Sequence, residues 1–218
     1  MNLSHSFSSM KMYDNCPKRY YLQRITKAVS DPGGEASLYG ERIHKSFEDR
    51  IKHGTPLPPD VAHCEGTVVA LETAAKGGEL VAELELTLDA HLRPTGWWDA
   101  DAWMRSKLDV FIRKGSTVFI GDWKTGKRRP DPMQLELFAL QAFAHYPDVK
   151  TVKSTYFWVK DDATDSATYK RNEAGPMWNK LMAKISRIEQ SLETDNWPAR
   201  PSGLCRFCPA RNICEFAN

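Results

Sequence analysis

The chain predicts an α/β fold, a mixed β-sheet flanked by helices, with α+β as the alternative arrangement. Three observations carry this. Residues 79–88 alternate with period two, Leu80, Ala82, Leu84, Leu86 and Leu88 against Glu79, Glu83 and Glu85, as in a half-buried strand. Residues 103–113 and 117–123 are two more apolar runs joined by Lys114-Gly115, the spacing of a tight antiparallel hairpin. Helical segments stand before, between and after the strand runs.

The elements follow in order. Ser8 or Ser9 can cap a short helix ending at Asn15, and Pro17 suits the first position of the next helix, which carries Lys18, Arg19, Tyr20 and Tyr21. Residues 36–53 read as a helix closed by Gly54 and Pro56, with His44 and Glu48 four apart on one face. A further helix is expected over 60–76. After the three strands come a helix at 132–145, a hairpin of 152–159 and 167–171 around Asp161-Asp162, and an amphipathic helix at 176–195. Asp31-Pro32-Gly33-Gly34 is the only long turn-rich segment, so a single domain over 1–218 is expected.

Composition excludes several classes. The 218 residues are 41% hydrophobic and 27% charged, enough to bury a core and too apolar for a disordered chain. Thirty basic residues face 28 acidic ones, a net charge of +2, so any case for nucleic acid rests on where the charges sit. No run approaches a membrane span, and the start lacks the basic and apolar regions of a secretory signal; a cytosolic protein is expected. Five cysteines in a chain of this length do not form a dense secreted disulfide scaffold. In a reducing compartment, clustered thiols bind metal.

The acidic hairpin is the first candidate site. If Arg113 pairs with Ser116, Asp109 falls opposite Ile120 and diagonal to Asp122, at the ~7–8 Å of diagonal neighbours on one face. Lys124 follows Asp122 by two residues and projects from the same face. Two carboxylates so placed can share a hard divalent ion, which beside a phosphodiester polarises phosphorus and acidifies a water. The Lys124 ammonium can stabilise developing charge or orient the nucleophile. A bare D-x-K also occurs as solvated charge on a sheet face. Here it ends the apolar strand Val118-Phe119-Ile120-Gly121, where polar groups beside a core have partners.

His44 adds a candidate imidazole ligand, tilting the choice from Mg²⁺ toward Mn²⁺. Glu83 or Glu85 can join the site or remain an exposed acidic face. The glycine and lysine spacing of Gly121 to Lys127 mimics a phosphate-binding loop. Arg128 stands where that motif needs Ser or Thr, and Pro130 and Pro132 obstruct the helix it requires. Lys127, Arg128 and Arg129 suit phosphate contacts instead.

The second candidate is Cys205-Arg206-Phe207-Cys208 followed at C-x₅-C by Cys214, with Cys16 as the fourth ligand. One pair plus two singles favours a 4Fe–4S cluster over zinc, which usually takes paired knuckles; a disulfide is the third option. Such a clip would close a loop across nearly the whole chain and is read as structural first. Cys64 reads as a small buried hydrophobe. Lys18, Arg19, Arg200, Arg206 and Arg211 would surround the cluster, with Tyr20, Tyr21 and Phe207 available for base stacking.

These residues together resemble the RecB-like nucleases of the PD-(D/E)XK superfamily, in particular the iron–sulfur branch that holds the AddB nuclease domain and the CRISPR-associated Cas-four-like exonucleases. Gly40-Glu41-Arg42-Ile43-His44 is similar to that family's G-x-x-x-H, Asp109 to its G-x-x-D aspartate, Asp122-Trp123-Lys124 to its D-x-K, and Gln134 to Phe138 to its Q-x-x-x-Y. Cys16 with C-x₂-C-x₅-C is similar to its cluster layout. Ser106 replaces a glycine and Phe138 a tyrosine. The resemblance implies a restriction-endonuclease-like core, Mg²⁺ or Mn²⁺ held by His44, Asp109, Asp122 and the Trp123 carbonyl, and Lys124 as a catalytic residue. Gln134 would position the lysine or the DNA. It also implies exonuclease action on single strands or duplex ends, often 5′ to 3′, with a helicase, recombination or CRISPR-adaptation partner. A noncatalytic DNA- or partner-binding module that keeps the scaffold and cluster is the reading from another class.

Overall fold

The computed structural model describes residues 3–216; residues 1–2 and 217–218, the outermost of the expected 1–218 domain, lie outside the described residues. Two compact units divide the chain, one built on Gly34–Trp178 with Met1–Ser4, the other on His5–Gly33 and Asn179–Asn218. No helix among the described residues is long and apolar enough to cross a membrane.

The larger unit is the α/β body. Helix α3 (Glu35–His53) ends on Gly54 in the left-handed conformation at φ 70, a backbone state glycine adopts without a Cβ penalty. A 3₁₀ turn at Ala62–Cys64 leads into α4 (Glu65–Ala74), so the expected single helix over 60–76 begins in the tighter form common at helix starts. Then come β1 (Glu79–Leu88), β2 (Met104–Lys114) and β3 (Thr117–Lys124). Helix α5 (Pro132–His145) follows, with Pro132 in its first turn and the Asp131 side chain accepting from the Met133 amide. Strands β4 (Thr151–Trp158) and β5 (Ala163–Lys170) close the unit. β5 starts four residues earlier than its apolar content suggests, because its polar residues alternate between half-buried and exposed at a sheet edge.

The five strands lie in the order β1-β2-β3-β4-β5. Only β3 and β4 run parallel, and a parallel pair needs a crossover, which α5 supplies. One face of the sheet packs on α5 through Phe111, Val118, Ile120, Tyr156 and Trp158. The other packs on α3 and α4 through Val110, Ile112 and Trp123 against Ile43, Phe47 and Val68. Apolar residues on both sides explain the near-continuous hydrophobic run of β3.

β1 departs from simple alternation. Leu80 packs with the α3 side, whereas Val81, Leu84 and Leu86 pack with the α5 side, so the five alternating apolar residues do not share one face. The cause is Glu83, whose φ of 60 puts a non-glycine residue in the left-handed region and advances the face by one position. β2 shifts at the facing position: Leu108 and Phe111 both join the α5 side. Strain of this kind concentrates at functional sites. Glu83 and Asp109 lie at this kink.

The smaller unit holds α1 (Phe7–Asn15), α2 (Pro17–Tyr20), a π-helical turn at Tyr21–Ile25, most of α6 (Ala174–Thr194) and the C-terminal segment. The cap of α1 is Ser6, two residues before Ser8 and three before Ser9, the expected caps, in a reciprocal box with Ser9. Tyr20 stacks on Trp197 with centroids 6.0 Å apart and meets Tyr13 edge-on. The Tyr13 hydroxyl donates to the Arg187 carbonyl, and Asp14 pairs with Lys184. N-terminal and C-terminal segments are thus joined by aromatic packing and polar contacts in addition to any clip at the cysteines.

Candidate active site and cysteine centre

Helix α3 sets His44 between two anchors with no exposed surface, Ile43 and Phe47, so its imidazole is fixed toward the sheet. Gly40, one turn earlier on the same face, allows close approach of the helix: a Cβ there would lie 3.3 Å from Thr125 Oγ1. The spacing G-x-x-x-H has this packing reason. Gly121 is tighter still, since a Cβ would meet Phe157 Cε2 at 2.7 Å and Val110 Cβ at 3.2 Å.

The β2–β3 ladder pairs Lys114 with Thr117 and ends at Val110 opposite Gly121. This is two residues from the register expected of an Arg113–Ser116 turn, and it brings Asp109 level with Asp122 rather than diagonal to it. A two-residue shift preserves side-chain parity over the paired residues Val110–Lys114. Beyond the last pair, Asp109 Oδ2 accepts from the Trp123 amide at 2.7 Å, and Oδ1 lies 3.2 Å from His44 Nδ1. Glu83 reaches the same place: one ligand atom each from His44, Glu83 and Asp109 lie within 4.8 Å of one another. Lys107 pairs with Glu83 at 2.5 Å and lines the same open cleft. Sequence reasoning left Glu83 and Glu85 equivalent. The kink selects Glu83, while Glu85 is exposed.

Asp122 stands just outside that trio. It is 4% exposed, with Gln134 Nε2 donating to Oδ1 at 3.0 Å and Lys124 Nζ 2.6 Å from Oδ2, an ion pair out of hydrogen-bond alignment. Burial first, then the Asp109 charge, pushes its carboxyl well above the usual carboxylate range against the pull of Lys124 and His44. For His44, burial opposes protonation, but the hydrogen bond and charge of Asp109, aided by Asp122, outweigh it and raise its pKa. The Trp123 indole is buried and stacks on Phe47 at 3.9 Å, flanked in sequence by Asp122 and Lys124.

Phe138 sits in the core at 2% exposure. A residue outside every sequence motif supplies a hydroxyl here: the one phenolic proton of Tyr156 of β4 is shared between the Asp131 carbonyl at 2.8 Å and Gln134 Oε1 at 3.1 Å. Its ring lies beneath Lys124 Nζ, 5.2 Å from the centroid. Burial, then the Asp122 charge, holds the Tyr156 phenol above its ordinary range, so it remains a donor. It fixes the Gln134 amide with its nitrogen toward Asp122. Only the β3–β4 pairing, Asp122 level with Tyr156, reveals it.

In the smaller unit, Cys16, Cys205, Cys208 and Cys214 line one cavity with Arg19 and Arg200. All are free thiols. The Arg200 amide donates to Cys16 Sγ at 3.5 Å and the Ser202 amide to Cys205 Sγ at 3.3 Å. Among the described residues no three of these sulfurs lie within 4.8 Å of one another, wider than the ~3.8 Å edge implied by ~2.3 Å Zn–S bonds in a tetrahedron. Four thiols lining one cavity are a donor set that either an iron–sulfur cluster or a zinc ion would accept. Cys64 is buried in the core beside α4.

The remaining expected contacts divide. Tyr20 has no exposed surface and packs on Trp197, so it is corrected from a DNA contact to a core residue. Arg128 forms a fork with Asp165 at 2.8 and 2.7 Å. Arg19 is engaged by Gln23 and Asp31. Lys127 and Arg129 are exposed and Lys18 half-buried.

The family model described as the PD-(D/E)XK nuclease superfamily matches residues 4–215. The chain belongs to the PD-(D/E)XK nuclease superfamily. A crystal structure from Eubacterium rectale, provisionally named an exonuclease, is similar over 97% of this chain and 89% of that one, at 13% identity and a TM-score of 0.58. An alkaline exonuclease from Laribacter hongkongensis is similar over 88% and 90%, at 9% identity and a TM-score of 0.42. No curated protein matches the sequence. The mixed sheet flanked by helices is that of the PD-(D/E)XK, restriction-endonuclease-like fold.

Proposed function

We propose that this PD-(D/E)XK protein is a Mg²⁺- or Mn²⁺-dependent DNA exonuclease that hydrolyses phosphodiester bonds of single strands or duplex ends. The observation that carries the reading is the convergence of His44, Glu83 and Asp109 at one open cleft, near the ion pair of buried Asp122 with half-buried Lys124. His44, Asp109 and Asp122, with the Trp123 carbonyl, are the residues we assign to the cation, and Glu83 joins them. A bound divalent cation supplies Lewis-acid polarisation and a more acidic water.

The protein's own groups do the rest. Lys124 carries its charge where the phosphoryl oxygens gain negative charge, and Gln134, held by Tyr156, keeps Asp122 aimed. Lys127 and Arg129 serve as phosphate contacts that position without reading sequence. The Eubacterium rectale relative's name favours exonuclease action, and 5′ to 3′ is the first polarity to test. The chain would work in the cytosol, with a helicase, recombination or CRISPR-adaptation partner presenting opened ends.

End-labelled single strands incubated with Mn²⁺, with Mg²⁺ and with EDTA should be shortened from one end only when the metal is present. Uncut strands bound by the protein under every condition would instead establish the noncatalytic DNA-binding reading.

Both His44 and Asp122 must shed protons to serve a cation, and both hold them above their ordinary pKa values. Cation affinity should therefore rise with pH through and above the 6.5 of an ordinary imidazole, with protons released on binding. Half-saturating Mn²⁺ measured at pH 6.5 and at about 8.5 should fall severalfold. An unchanged value would remove these two residues from the ligand set.

For the cysteine cavity we propose a structural 4Fe–4S cluster on Cys16, Cys205, Cys208 and Cys214, placing the chain in the iron–sulfur branch, with zinc as the competing occupant. Protein purified without air should be brown and contain about four irons and four acid-labile sulfides per chain. A colourless protein with one zinc would overturn the cluster.

A further inference from the structure

The connection between β1 and β2, residues 89–103, is long for a β-hairpin, and it carries two adjacent tryptophans, Trp97 and Trp98, that lie outside both core clusters described above. Trp98 is 85% exposed and Trp97 half-buried. The Arg105 guanidinium lies 5.6 Å from the Trp97 ring and 5.9 Å from the Trp98 ring, so a cation is held against both indoles.

The connection is internally braced. The Asp99 carboxylate accepts from the Gly96 amide at 2.7 Å, and the one hydroxyl proton of Thr95 is shared between Asp99 and Asp101, each 2.9 Å from its Oγ1. The Thr95 amide donates to the Thr87 carbonyl, and Asp89 is occupied by Arg93. Asp99 and Asp101 are exposed but hydrogen-bonded within the connection, and Trp98 is its exposed aromatic face, with Trp97 and Arg105 half-buried beside it.

Placement gives these groups a meaning. β1 pairs Thr87 with Arg105 and Glu85 with Lys107. By strand alternation Arg105, Lys107 and Asp109 project from one face, and burial agrees: Met104, Ser106 and Leu108 are buried, the other three are not. A row of two basic residues, Arg105 and the Lys107 that pairs with Glu83, therefore runs from the cleft of His44, Glu83 and Asp109 toward the tryptophans, about 13 Å from Asp109 to Arg105 at strand rise. Two aromatic faces with a cation at the end of a basic row fit a strand with unstacked bases and a phosphate backbone. A duplex hides its base faces in its own stack.

We propose that Trp97, Trp98 and Arg105 form a stacking platform for single-stranded DNA, holding unpaired bases a few nucleotides from the bond to be cut. This inference rests on the nuclease reading for its substrate and names the form of that substrate.

The test measures binding in EDTA, where no cleavage occurs, with fluorescently labelled oligothymidine of about 20 nucleotides and an abasic strand of equal length and charge. Trp98→Ala should weaken binding of oligothymidine by about tenfold or more, the loss of one stacked base. It should leave the abasic strand's affinity unchanged, and Trp98→Phe should retain most of the parent affinity. Because Trp98 is exposed, the thermal transition of each variant should match the parent, which checks folding. Equal affinity of Trp98→Ala and parent for oligothymidine overturns the platform, as does an equal loss on the abasic strand. Cleavage by the parent with Mn²⁺ is scored separately. A parent that cuts while Trp98→Ala binds normally refutes the platform alone, and one that stacks bases but never cuts refutes the nuclease reading alone.

Discussion

Asp122→Asn should abolish DNA cleavage and, in the same protein, raise the melting temperature of the metal-free form. Asparagine retains the oxygen that accepts from Gln134 Nε2 but removes the charge assigned to the cation, so turnover should fall by about 10³-fold or more. The stability effect has the opposite sign. Burial and Asp109 raise the folded-state pKa of Asp122 despite Lys124 and His44. The folded chain therefore holds this proton more tightly than the unfolded chain. Its stability falls as pH rises from the ordinary carboxylate pKa toward the raised value, and at neutral pH the ionised side chain destabilises the fold. A neutral isostere relieves a cost of about 1 kcal/mol or more, or roughly 2–4 °C per kcal/mol in a chain of this size. Thermal denaturation in EDTA, beside a cleavage time course, reads both. Unchanged cleavage would dismiss the assigned site, and a lower melting temperature at neutral pH would show that Lys124 outweighs burial. The general point is that the proposed chemistry is assembled at the expense of the fold.

Phe47→Ala should be the most destabilising single truncation near the site. Phe47 has no exposed surface and lies 3.9 Å from the Trp123 ring with an interplanar angle of 6°. Removing it opens a cavity beneath β3 and costs about 3–5 kcal/mol, a fall of about 10 °C or more. Trp123 lies between Asp122 and Lys124, and His44 is one helical turn from Phe47, so the cavity loosens three assigned residues together. Cleavage assayed well below the variant's own transition should fall about 10²-fold, the cost of roughly an ångström of misplacement. Urea unfolding supplies the stability change. A loss below about 1 kcal/mol would mean the indole repacks without its partner.

Particular residues show what sequence reading reaches. Helix α3 ends at His53 as Gly54 predicts and starts at Glu35, one residue before the expected Ala36, and the first three strands lie close to where the alternation of 79–88 and the apolar runs around Lys114-Gly115 set them. The motifs around His44, Asp109, Asp122 and Gln134 were legible because each couples a chemical group to a local packing need, as Gly40 and Gly121 show. Contacts between elements distant in sequence were not legible. Tyr156 joins the site through parallel pairing of β4 with β3, which no local pattern encodes. Tyr20, placed among basic residues, looked like a nucleic-acid contact and proved to be buried. The turn register of the β2–β3 hairpin was missed by two residues, a shift that leaves every side chain on its own face and so leaves no trace in the hydrophobic pattern.

Sequence alone therefore determined the α/β class and the succession of most elements, and supplied the candidate site residues, because periodicity, caps and turn residues act over a few neighbours. Tertiary structure decided which glutamate enters the cleft, which tyrosine braces Gln134 and which aromatic side chains remain outside the core. Those choices depend on the left-handed kink at Glu83 and on pairing between distant strands. Both are energetic outcomes of the whole packed sheet and are not properties of any short segment.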